Sequence, residues 1–250
     1  DEVFNNNAPM MNHQVSVSGA SEKVNYLFSL GFYTQDGIVG GNFDRSNYER
    51  LTLRSNTQYT LFDESKERNW LNSLKVTSNL SYARIKSTNF DDNSTWGTPL
   101  GSALALSPIL NVYDETEEAI KAQFDKYGTT AEYTPVYDPR NGKLFSIPGE
   151  FGEMSNPIAK LSLPGDKHWS HKFVANFSAE LQLWDNLKFK TSYGADLSFW
   201  GYDGYRPLYY LRSGESSTQS SAYSRKEDGT VWQLENVLMY DKSIDKHSFS

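Results

Sequence analysis

The feature that most constrains this chain is a period-two alternation that returns along its length, joined by connections of two sorted lengths. In VNYLFSLGFYT (24–34), Val24, Tyr26, Phe28, Leu30 and Phe32 share one parity. Asn25, Ser29 and Gly31 share the other, with Leu27 and Tyr33 as exceptions. Side chains of a strand alternate between its faces, so this stretch has one large apolar-aromatic face and one small polar face. The pattern recurs in HQVSVS (13–18), YERLTLRSNTQYTLF (48–62), WLNSLKVTSNLSYARI (70–85), KFVANFSAELQLW (172–184), LKFKTSYGADLSF (187–199) and VWQLENVLMY (231–240). HSFS then begins a further strand at the end of the chain.

The connections run short, long, short, very long, short, long, short. Strict alternation of up and down strands puts every short turn at one end of a sheet and every long loop at the other. Outer-membrane β-barrels have this asymmetry, whereas a soluble sandwich with Greek-key crossings has no reason to sort its loops. The expected strands are also longer than the usual five or six residues and suit a tilted span of a ~25 Å apolar band.

Charge depth supplies a second test. Lys or Arg facing lipid near the midplane costs ~2–4 kcal/mol, falling to ~0–1 at the interfaces. Arg50, Arg54, Lys75 and Lys188 lie on the polar parity. Arg84 and Lys86 share parity with Leu80 and Tyr82, but sit at the long-loop end, where they reach the headgroups by snorkelling. Glu49 fits in the same way. Trp70 and Trp184 flank short turns, where an interfacial aromatic girdle belongs.

Composition narrows the function classes. The chain has no cysteine, so no disulfide framework, thiolate metal site or thiol nucleophile is available. A net charge of −7 argues against a nucleic-acid partner. No apolar run approaches the ~20 residues of a membrane helix, which leaves membrane strands open. No basic segment followed by an apolar one opens the chain, so a signal peptide is absent or removed.

Several stretches resemble the SusC/RagA-type TonB-dependent transporters of Bacteroidetes outer membranes. YLFSLGFYTQDGIV (26–39) is similar to a recurrent strand-and-loop segment of that family. NPIAKL (156–161) resembles its NPLA-like stretch within a long extracellular loop. LKFKTSYGADLS (187–198) and WQLENVLMYDKSIDKHSFS (232–250) resemble further strands and turns. The resemblance implies an all-β fold, a transmembrane antiparallel up-and-down barrel of 22 strands with an N-terminal plug. It implies energised import of oligosaccharides or peptides, driven by TonB with ExbB/ExbD, together with a SusD-like surface lipoprotein acting as a lid. It implies neither a cofactor nor an enzyme.

No plug or TonB-box segment is found, so residues 1–250 are expected to form an internal portion of the barrel domain. The long extracellular loop is expected at about 87–171. A complete eight-stranded barrel is the alternative architecture, but no strand that would close on the first is apparent. In function, the alternative is a soluble or surface-attached β-rich module that stacks sugars on its aromatics.

Within 87–171, GSALALSPILNVYDETEEAIKAQFDKYG predicts two short helices split near Pro108, with Ile120 and Phe124 on one face of the second. PVYDPRNGKLFSIPGE reads as turns. The segment either covers the mouth and meets cargo or lid, or only packs on its neighbours. Catalytic constellations are poor. His168 and His171 are expected in a loop, with no third metal ligand near. Asp91 and Asp92 read as solvated acids, and Gly40–Gly41 as a turn. The expected cargo contacts are Tyr202, Asp203, Tyr205 and Arg206, in a loop following Phe199 and above an inward-facing Asp196. Trp96 and Tyr113 of the long segment join them.

Overall fold

The computed structural model describes residues 2–63, 70–90, 98–114, 116–127, 133–148, 154–212, 214–244 and 247–249. Seven long strands build one antiparallel sheet in strict sequence order. They are β1 (Met10–Ala20), β2 (Val24–Asp36), β3 (Asn47–Phe62), β4 (Ser73–Thr88), β7 (Lys167–Trp184), β8 (Leu187–Arg206) and β11 (Ser221–Tyr240). The remaining elements lie in the connections: α1 (Pro99–Ala105), β5 (Tyr113–Asp114), α2 (Glu117–Tyr127), β6 (Leu144–Phe145), α3 (Pro157–Ser162), β9 (Tyr209–Arg212) and β10 (Glu215–Ser217). Two short strands, β12 (Lys242–Ile244) and β13 (His247–Phe249), pair with each other at the C-terminal end.

Register aligns the parities across the whole sheet. One row reads Val15, Leu30, Leu53, Tyr82, Phe173, Leu197, and the next Val17, Phe28, Ser55, Leu80, Ala175, Ala195, Trp232. Between them on the opposite face runs Ser16, Ser29, Arg54, Ser81, Val174, Asp196. Lys75, Glu180 and Lys190 lie side by side on that polar face, so their charges alternate across three strands. No described residue lies over the apolar rows. Val15 is 65% exposed and Phe177 44%. A water-soluble sheet buries such a face, because each large side chain left in water forgoes roughly 1.5–3 kcal/mol.

The chain's buried core is elsewhere. Val3, Phe145, Ile158, Ala159, Leu161 and Leu211 form it, surrounded by Val39, Phe43, Phe90, Leu100, Val112, Tyr113, Val136, Leu163 and Tyr209. These residues come from the N-terminal segment and from the connections β2–β3, β4–β7 and β8–β11. Those connections all leave one end of the sheet and fold together into a cap. Ser21–Lys23 and Asp185–Asn186 turn the chain at the other end. Trp70 and Trp184 stand exposed there.

Three expectations need correction. The strands after Trp184 are longer than the alternation indicates. β8 continues to Arg206 and β11 begins at Ser221, paired in continuous register from Ser221 opposite Arg206 to Tyr240 opposite Leu187. The long connection expected between residues 199 and 231 is therefore only residues 207–220. His168 and His171 lie in β7, not in a loop, and three residues apart in a strand they face opposite sides. His171 Nδ1 instead sits 2.8 Å from the Tyr82 hydroxyl. The stretch read as turns at 135–150 contains β6, which pairs with β5. The two helices split around Pro108 are present, with Ile120 buried and Phe124 edge-on to Tyr210 at 4.9 Å.

Candidate functional site

The cap is built by side chains that satisfy loop backbone. Asn5 donates through Nδ2 to Gly37 O at 2.6 Å, and its Oδ1 accepts from Asn42 N at 2.7 Å. Asn42 returns the contact by accepting from Asn6 N at 2.8 Å. The Asn-rich start of the chain thus ties itself to the β2–β3 connection. Gly40 and Gly41 both donate their backbone N–H to Val3 O. Gly41 holds a positive φ of 59°, in the left-handed region that a glycine enters without strain.

Asn156 starts α3. Its Oδ1 accepts from Ile158 N at 3.0 Å and Ala159 N at 3.3 Å, with Pro157 at the first helical position. Its Nδ2 donates to Val112 O at 2.9 Å and Ser146 O at 3.1 Å. One buried side chain therefore both caps a helix and clamps two strand-like segments. This is what the NPIAKL stretch does here.

Asp138 is fully buried and chelated by Arg140, with Nε to Oδ1 at 2.9 Å and Nη2 to Oδ2 at 2.7 Å. Arg140, aided by a 2.8 Å bond from the Tyr113 hydroxyl, holds the carboxyl down at about 2. Burial pushes the Tyr113 hydroxyl up, and its bond to Asp138 adds to that. The Tyr113 ring stacks on Phe145 at 5.3 Å.

Beneath the cap, at its junction with the sheet, lies a cleft of about 510 Å³. Arg45, Phe90, Lys160, Asp166, His168, Tyr205, Arg206, Tyr209 and Tyr223 are among its walls. Lys160 pairs with Glu215 at 2.6 Å, and Tyr223 donates to Asp166 Oδ1 at 2.6 Å. A second cleft of about 690 Å³ includes Asp36, Asp44, Glu49, Arg84, Lys86, His171 and Asp203. Both volumes fall in the range of small-ligand sites. Among the described residues no group of three His, Cys, Asp or Glu is placed to hold a metal.

The expected contact residues are divided by this geometry. Tyr205 and Arg206 meet in the first cleft and Asp203 lines the second. All of them, with Tyr202, belong to the end of β8 rather than to a loop. Asp203 and Tyr205 share the parity of Phe199, whereas Tyr202 and Arg206 share that of Asp196. Tyr202 stands between His168 at 5.5 Å and Tyr223 at 6.1 Å, and Asp203 accepts from Ser224 Oγ at 2.6 Å. Tyr113 is engaged inside the cap. Trp96, Asp91 and Asp92 lie outside the described residues. Sequence reasoning missed Arg45, Lys160 and the Asp138–Arg140 pair. The cluster of turn residues around Arg45 in GGNFDRS was the only signal for it.

No family profile matches the chain. Over its whole length it is 25% identical to a TonB-dependent receptor of Formosa agariphila, of which it spans 21%. It is 28% identical over 73% of its length to the TonB-dependent receptor SusC of Bacteroides thetaiotaomicron, of which the match covers 16%. Among solved structures, that of the RagAB peptide transporter superposes on 98% of this chain with a TM-score of 0.66 at 19% identity, and 24% of that chain is covered. The chain thus spans about a fifth of the length of the curated relatives it matches.

Proposed function

Because the chain is of the SusC/RagA type of TonB-dependent receptor, outer-membrane β-barrel proteins rather than enzymes, we propose that its sheet is one part of the wall of a larger barrel. The whole protein imports oligosaccharides or peptides across the outer membrane. TonB with ExbB/ExbD supplies the energy, and a SusD-like surface lipoprotein closes the mouth. Residues 1–250 form an internal portion of the barrel domain, with the plug and the remaining strands, 22 in all in that type, elsewhere in the polypeptide.

One observation carries this reading: the apolar face of a seven-stranded sheet is exposed while the buried core sits entirely in the cap. Lipid is the solvent such a face suits, and a soluble glycan-binding module would cover it. Two further features support it. In the main sheet β1 pairs only with β2, and β11 only with β8, so two strand edges are open to neighbours among the described residues. In lipid an open edge costs several kcal/mol per unmet backbone group, and further strands remove that cost. The cap also presents Leu104 and Ile109, 87% and 84% exposed, as an apolar surface for the lid lipoprotein.

Cargo is held near the junction of cap and sheet, with Tyr205 and Arg206 as first contacts and Trp96, Tyr113, Tyr202 and Asp203 as the other candidates. The test is uptake of labelled oligosaccharides and peptides by cells carrying the full-length receptor, with and without TonB and with and without an uncoupler. Import that needs both TonB and the proton gradient is expected. Uptake indifferent to TonB would falsify the reading.

A further inference from the structure

We propose that the cleft beneath the cap is a carboxylate-binding subsite organised by Arg45 and Arg206, and hence that the cargo is acidic. The inference rests on the transport reading above and adds the charge of the substrate to it. The chain as a whole carries a net charge of −7, yet this cleft is cationic. Among the described residues its walls bring in Arg45, Lys160 and Arg206 against one carboxylate, that of Asp166. Glu215 neutralises Lys160 from outside the cleft at 2.6 Å, which among the described residues leaves two guanidinium groups facing one acid.

Arg45 is the unusual member. Its Nε and Nη1 are buried and make no hydrogen bond among the described residues. Burial pushes its pKa down, and the field of Asp166 only partly restores it. A guanidinium stays protonated nonetheless, so an undercompensated positive charge is fixed in the wall. Asp166 offers incomplete relief, because one of its oxygens already accepts from the Tyr223 hydroxyl. The place for Arg45 depends on Gly165, where an added Cβ would collide with the guanidinium. Arg206 has no ion-pair partner among the described residues and stands at the solvent side. An entering carboxylate is the anion whose geometry and charge a guanidinium recognises best among cargo groups of peptides and sugars. Tyr205 and Tyr209 supply flat faces for the rest of the ligand.

The experiment uses the full-length receptor with its lipoprotein partner and two pairs of probes. One pair is a glutamate-containing hexapeptide and its glutamine counterpart. The other is trigalacturonate and its methyl ester. The acidic member of one pair is expected to bind about tenfold more tightly than its neutral twin, the size of one charge-assisted contact. The pair that discriminates identifies the carboxylate as peptide or sugar. Arg45→Gln and the exposed Arg206→Gln should each remove most of that preference, bringing the acidic member close to the affinity of its neutral twin. Gly165→Ala, which displaces Arg45 without changing charge, should act like Arg45→Gln. Equal binding within both pairs, or a preference that survives both arginine substitutions, overturns the subsite. Uptake on the same cells separates the two readings. TonB-dependent import without acid preference removes only the subsite, and acid preference without TonB dependence removes only the transport.

Discussion

Arg140 donates through Nη1 to the carbonyl of Gly41 at 2.7 Å, across 99 positions of sequence. The same guanidinium lies over the Phe43 ring, 3.9 Å from its centroid, and chelates the buried Asp138. One side chain thereby fastens the very long connection to the β2–β3 connection. Arg140→Ala is expected to leave the buried Asp138 without its cation, a loss of about 1–3 kcal/mol confined to the cap. Limited proteolysis of the assembled receptor should show cleavage in the cap while the barrel stays intact. Unchanged protection would show that the clamp is dispensable.

The same pair makes the cap sensitive to acid. The Asp138 carboxyl is held at about 2 against an ordinary value of 3.8. The folded form binds the proton more weakly than the unfolded one, so the stabilisation, about 2 kcal/mol, is complete above pH ~4. It disappears as the pH falls through about 2. Amide exchange at residues 136–146, corrected for intrinsic rates, should rise over that window. Asp138→Asn should flatten the dependence, and a rise of equal size in that variant would assign it to other groups.

Asn156 does two jobs that substitution separates. Asn156→Asp keeps the oxygen that caps α3 and loses the donor to Val112 O and Ser146 O. Asn156→Ala loses both. The alanine variant should weaken the cap by about 2 kcal/mol or more, of which the lost helix cap accounts for ~1. The aspartate variant turns a carboxylate oxygen toward those two carbonyl oxygens in a buried site, so it should lose cap protection by amide exchange at least as far as the alanine variant.

Phe177 and Ser178 are neighbours in β7 with opposite surroundings. Phe177 lies across from Ser78 and Tyr193 on the apolar face, and Ser178 across from Thr77 and Ser192 on the polar one. Phe177→Arg should cost ~2–4 kcal/mol near the bilayer midplane and impair insertion. Ser178→Arg should assemble nearly as well as the parent, as read by the heat-dependent gel mobility of the receptor. Equal assembly of the two variants would sink the assignment of faces.

Leu104→Asp with Ile109→Asp tests the lid surface proposed above. Both side chains are almost wholly in water, so folding of the cap should be little affected. Co-purification of the surface lipoprotein should fall, while the receptor reaches the membrane at its normal level. Undiminished co-purification would move the docking surface elsewhere.

The strands, the faces and the sorting of connections are legible from residues alone because a strand writes its surroundings locally. Val24 to Phe32 alternate since one side meets an apolar medium and the other does not. The helix pair around Pro108 is legible for a similar reason, through its own period and its breaker. Local pattern fails where that contrast ends. GYDGYR, residues 201–206, carries no alternation, and only its pairing with residues 221–226 of β11 and, over 201–203, with residues 167–169 of β7 makes it strand. How the parts of the cap pack together is not written locally. Val3, Phe145, Leu161 and Leu211 are unremarkable until the connections that hold them meet, and the charge of Arg45 acquires meaning only beside Gly165 and Asp166. Burial and electrostatic compensation depend on which distant segments come together, and that the tertiary structure alone decides.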